Sequence, residues 1–181
     1  VFEAQLLEIY QNVMKFREIV SSFSCLLPMF TVYDSETAQK LHIQPGQFTS
    51  YAHIMSHRES LFDISQNILT KSEESWFDSE REVALLLYNL QQTSKDEFAK
   101  ALKIIPPSKN DSTGLWISPW ELLDGRIIEP HQDKIIKSME AYLLARFEKS
   151  SSAKNDALRS YKTGLLSFPS ERVNFSILKL E

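Results

Sequence analysis

Apolar residues recur over the first 27 positions with a regularity that later stretches of the chain do not match. Phe2, Leu6, Ile9, Val13, Phe16, Val20, Phe23 and Leu27 follow one another at spacings of 4, 3, 4, 3, 4, 3 and 4, the a/d stripe of a heptad helix. The pattern predicts a helix running to Pro28, about 40 Å long at 1.5 Å per residue. Leu7, Tyr10, Met14 and Ile19 widen the stripe beyond a two-stranded seam, so the helix is expected to touch more than one neighbour. Glu3, Glu8, Gln11, Asn12, Lys15 and Arg17 supply its polar cover.

Further helices follow from periodicity and cap chemistry. Asp34-Ser-Glu-Thr can cap a short helix reaching about Leu41, and Pro45-Gly46 marks a turn. From Thr49 or Ser50 a second long helix is expected, carrying Tyr51, Ile54, Met55, Leu61, Phe62, Ile64, Ile68 and Leu69. Ser79-Glu-Arg-Glu82 and Ser94-Lys-Asp-Glu97 both have capping-box spacing and predict two more helices, the second stopped by Pro106-Pro107. Ser118-Pro119 opens a short helix through Trp120, Leu122 and Leu123, which closes at Asp124-Gly125. A long helix from about Pro130 carries Ile135, Ile136, Met139, Tyr142, Leu143 and Phe147, and Ser150-Ser-Ser152 breaks it before a last helix to about Leu166. Val173, Phe175 and Ile177 alternate as a strand does, with Thr31 to Tyr33 as its one candidate partner.

The expected fold is therefore all-α: a multi-helix bundle around a long N-terminal helix, with room for a minor two-stranded element near the C-terminus. Its organisation reads as a helical bundle domain over 1–105, a polar linker or surface loop over 106–118, and a C-terminal helical segment over 119–181 packed on the same core. Val1 in place of methionine, and a Leu180-Glu181 ending, read as an excised piece of a longer chain with vector-derived final residues.

Composition narrows the chemistry. Only four glycines occur in 181 residues, and Gly46, Gly114, Gly125 and Gly164 lie too far apart to build a phosphate loop. The single Cys25, set among Phe23, Leu26 and Leu27, excludes an internal disulfide and a cysteine zinc site and reads as a small core residue. With no signal segment and no transmembrane stretch, this places the chain in a reducing compartment, cytoplasmic or nuclear. The net charge of −4 is unevenly spread: residues 1–125 hold 10 basic against 17 acidic side chains, residues 126–181 hold 10 against 7.

Three readings of function compete. The first is a non-catalytic protein-interaction or scaffolding module, acting on a protein partner or a second copy through Phe2, Leu6, Ile9, Val13 and Phe16. Trp116 and Trp120, beside the polar segment, either anchor that partner or clamp the loop to the bundle. The second is a domain that docks nucleic acid or anionic lipid through a basic patch of Lys134, Lys137, Arg146 and Lys149, although Glu140, Glu148 and Asp156 interrupt it. The third is a metal-dependent enzyme using His53 and His57, which share a helix face at i, i+4 but lack the spacing of an HExxH site. No catalytic residue and no cofactor is assigned.

Overall fold

The computed structural model describes residues 2–108, 111, 114–124 and 128–167. Among them the chain forms eight α-helices and no strand, so the fold is all-α. The helices are α1 (Phe2–Phe23), α2 (Ser35–Lys40), α3 (Tyr51–Ser56), α4 (Arg58–Leu69), α5 (Asp78–Thr93), α6 (Pro119–Leu123), α7 (Pro130–Phe147) and α8 (Ser151–Leu166). Three 3₁₀ turns join them, at Ser24–Leu26, Glu73–Ser75 and Glu97–Lys100. The alternating 173–177 segment lies outside the described residues.

Several caps match their sequence signals. Asp34 accepts from the Thr37 N–H at 2.9 Å and starts α2. At α6, Ser118 Oγ accepts from the Glu121 N–H at 3.1 Å while the Glu121 carboxylate accepts from the Ser118 N–H at 2.8 Å, a reciprocal capping box. Helix α7 ends with Lys149 in the left-handed region (φ 58°). The Ser150 N–H then reaches the Ala145 carbonyl at 2.9 Å, so a lysine holds the place usually given to glycine in a Schellman ending.

Three expectations fail for identifiable reasons. The single helix expected from Ser50 is two, because His57 leaves helical geometry (φ −111°, ψ 29°) between α3 and α4. The capping role expected of Glu82 belongs to Glu80, which accepts from the Phe77 N–H at 2.8 Å. Glu82 instead accepts from the N–H groups of Tyr33 and Asp34 at 2.6 and 2.8 Å, a long-range tether that local spacing does not reveal. No α-helix forms over 98–105; only the 3₁₀ turn Glu97–Lys100 does. Proline disfavours helical geometry in the residue before it, and Ile105 pairs with Ile117 in an isolated antiparallel bridge.

Two apolar clusters build the body. One gathers Cys25, Leu26, Ala52, Ala99, Ile105, Ile117, Trp120, Leu122, Ile135, Ile136 and Leu165. The other gathers Phe30, Val32, Ala38, Leu41, Ile54, Leu61, Leu86 and Leu90, and Tyr51 packs against both. The first cluster draws residues from either side of 106–118, and the start of that segment is itself part of the interior. Pro106 and Pro107 are fully buried, and the Pro106 carbonyl accepts from buried Gln132 Nε2 at 3.0 Å. Helices α7 and α8 form an antiparallel pair brought close by Gly164, where a Cβ would stand 3.0 Å from Ile135 Cγ1.

Candidate functional site

Helix α1 is attached at one end. Its body-facing stripe is Met14, Glu18, Ser21 and Cys25, again at spacings of 4, 3 and 4. Of residues 2–20 only Met14 and Glu18 are even partly covered, whereas Ser21 and Ser22 are buried.

Polar groups make the anchorage. Ser21 Oγ donates to Asp96 Oδ2 at 2.6 Å. Ser22 Oγ accepts from the Leu102 N–H at 3.0 Å. The Trp120 indole N–H donates to the Ser21 carbonyl at 3.0 Å, with Ser24 Oγ at 3.3 Å. Arg17 completes the collar, its guanidinium carbon 4.3 Å from the centre of the Phe98 ring. The bond from Ser21 is the largest influence on the Asp96 carboxyl and holds it below its ordinary value of 3.8; burial opposes it with the next largest effect, and the bond from the Phe98 N–H and the charge of Arg17 lower it by less.

The heptad seam points away from this collar. At about 100° per residue, Phe2, Leu6, Ile9, Val13, Phe16 and Val20 cluster on a side of α1 about 130° round from the body-facing stripe. Their exposures run from 41% at Val20 to 72% at Phe2. Taken with the size of these side chains, the six expose on the order of 700 Å², above the roughly 300–600 Å² of the largest apolar patch on an ordinary monomer. Leu7, Tyr10 and Ile19 are exposed as well. The next seam residue, Phe23, is already packed against the first core cluster, so the free seam ends where the body begins.

The two tryptophans part company. Trp120 is 1% exposed, with its ring 4.6 Å from Tyr51 and its N–H spent on α1. It is the clamp that seats α1 on the body, which removes it from the partner-anchoring set. Trp116 is half-buried.

The other candidates are less convergent. His42 joins His53 and His57 in a stack, with ring centres 4.7 and 4.9 Å from that of His57. His53 Nε2 faces the Leu41 carbonyl at 2.9 Å and His57 Nδ1 faces the His53 carbonyl at 3.0 Å, so each of these two rings donates an N–H to backbone. Among the described residues no three His, Cys, Asp or Glu side chains are placed to hold a metal ion. The four basic residues are exposed but divided. Lys137 pairs with Asp133 at 2.8 Å, and Lys134 lines a groove that also contains Asp133, Glu148 and Asp156. Arg146, Lys149 and Lys154 line a second hollow with no carboxylate in its wall among the described residues. Burial pushes the Cys25 thiol far above its usual range, which leaves it without the thiolate character a nucleophile needs.

No family model, no curated protein and no solved structure matches the chain. Among the described residues no helix is long and apolar enough to cross a membrane.

Proposed function

We propose that the protein is a non-catalytic helical interaction module that presents the α1 seam to a protein partner, while the body serves as its mount. The observation that carries this reading is the exposure of six consecutive a/d side chains on the side of α1 turned away from the body. Most helical stability in proteins comes from burying an apolar face, and over residues 2–20 α1 buries almost none within the chain. Val13, Val20, Ile9 and Ile19 are β-branched and do not raise helix propensity. A covering helix supplies the missing burial, and apolar anchors at i, i+3, i+4 and i+7 are the signature of helix recognition.

A photo-crosslinking side chain placed at Val13 tests this in cells. The reading predicts a covalent protein adduct from position 13 and none from position 11, on the polar side of the same helix. Absence of any adduct at Val13 contradicts it. In parallel, Val13→Asp is expected to change the stability of the isolated monomer by no more than about 0.5 kcal/mol, as for an exposed site. A loss of several kcal/mol would mean that the seam is packed within the chain.

The hollow between Arg146, Lys149 and Lys154 supports a second reading, docking of an anionic polymer or lipid surface. It predicts binding to DNA, RNA or anionic vesicles that weakens steeply with salt and is lost on charge reversal at Arg146 and Lys149.

A further inference from the structure

Resting on the reading of the α1 seam as an interaction surface, we infer that the partner is a second copy of this chain and that the two α1 helices pair antiparallel. Three features of the seam favour this occupant.

The first is size complementarity. Aligned antiparallel with a facing d, Phe2 lies opposite Val20 of the second copy, Leu6 opposite its Phe16, and Ile9 opposite its Val13. The two-fold repeats these contacts, giving six layers that use every free seam residue, and each phenylalanine faces an aliphatic residue. A parallel pair would instead set Phe2 on Phe2 and Phe16 on Phe16, with valine on valine between them.

The second is charge. In the same alignment the flanking e positions place Glu3 beside Arg17 of the second copy and, by symmetry, Arg17 beside its Glu3, with Tyr10 facing Tyr10 between them. Asn12 faces Asn12 on the other flank. A parallel pair brings Gln5 to Tyr10 and Asn12 to Arg17, with no opposite charges. Antiparallel pairing is thus the orientation that this helix's own charges select.

The third is extent. The free seam offers on the order of 700 Å² per copy, close to the roughly 800 Å² per partner of a standard interface. Tyr10 and Ile19, at the flanking e and g positions, add apolar margin. The two bodies, each attached at the C-terminal end of its own α1, then lie at opposite ends of the helix pair. The seam is isologous, as a closed two-fold dimer requires.

Charge swaps read out both pairing and orientation. In sedimentation velocity across a dilution series, the 181-residue chain is expected to pass from monomer to dimer. Glu3→Arg puts like charges at both ends of the seam and raises the Kd about tenfold at low salt, an effect that 0.5 M salt largely removes. Glu3 has no ion pair or hydrogen bond to the body among the described residues, so this variant tests the interface without disturbing the fold. Arg17→Glu also gives up the stack on Phe98 and the positive charge beside Asp96, so its melting temperature is measured beside its Kd; with the body still folded, an equimolar mixture of the two single variants regains dimer, because each chain then supplies the charge its partner lacks. A wild-type monomer at every concentration overturns the inference, as does a dimer indifferent to Glu3→Arg or a mixture that fails to recover. In the first case a Val13 adduct to a different protein leaves the interaction surface standing with another occupant. The absence of any adduct removes both.

Discussion

Trp120 shows how one residue decides the placement of a helix 99 positions earlier in the chain. Its indole N–H bonds to the Ser21 carbonyl while its ring fills the space under Tyr51. Trp120→Phe keeps most of the apolar volume and removes the donor. It is expected to cost about 0.5–1.5 kcal/mol, the range for one lost hydrogen bond, because the Ser21 carbonyl still accepts from Ser24 Oγ at 2.6 Å; this is seen as a lower denaturant midpoint with an unchanged slope. Sequence alone placed this tryptophan at the right junction but left open whether it faces inward or outward. That is settled by the Ile105–Ile117 bridge and by the cap at Ser118, which turn α6 into the body. The body-facing stripe of α1 was less legible still. Met14, Glu18, Ser21 and Cys25 carry no hydrophobic signal as a set, because their attachment is made through hydroxyls, a carboxylate and a guanidinium.

At the scale of elements, the long periodic stretches were readable and the short ones were not. The heptad helix forms as α1, although it passes into a 3₁₀ turn after Phe23 instead of running to Pro28, and the Pro130 start of α7 and the Ser150 break before α8 appear where periodicity and cap chemistry put them. The division of α3 from α4 at His57 has no marker in the chain, since neither glycine nor proline stands there. The failed helix over 98–105 had a good cap and a good stripe, yet Pro106 and the pairing of Ile105 with Ile117 outweighed both. Gly164 was visible only as a residue near a helix end, whereas its role is to bring α8 against α7. Gly164→Val is expected to destabilise the protein by about 1–3 kcal/mol through overpacking against Ile135, measurable by thermal or chemical denaturation. A stability equal to or above that of the wild type would show that Ile135 yields without cost.

For the whole molecule, two carboxylates held low by their partners, one in the α1 collar and one at the start of α5, make the fold sensitive to acid. Asp96, through its bond from Ser21, and Glu80, through its pairing with Lys71 and the Phe77 N–H, both have carboxyls held below their ordinary values of 3.8 and 4.5. A carboxyl depressed in the folded state stabilises that state above its unfolded pKa and loses the contribution as pH falls through the folded value. The melting temperature is therefore expected to be flat from pH 7 to about 5 and to drop below about pH 4. Asp96→Asn should blunt part of the drop. A protein whose stability is independent of pH between 5 and 3 would show that neither carboxylate matters to the fold.

The same whole-molecule view divides the chain into a body with its own apolar interior and a projecting helix whose apolar side is turned outward. Hydrogen exchange of the α1 amides, followed by mass spectrometry across a dilution series, tests that division most directly. Amides of residues 6–20 are expected to exchange rapidly at the lowest concentration and to gain protection as the chain associates, while those of residues 24–26 stay protected throughout. Protection of residues 6–20 that equals that of residues 24–26 and does not change with concentration or added partner would contradict the account, because the seam would then be buried by the chain that carries it.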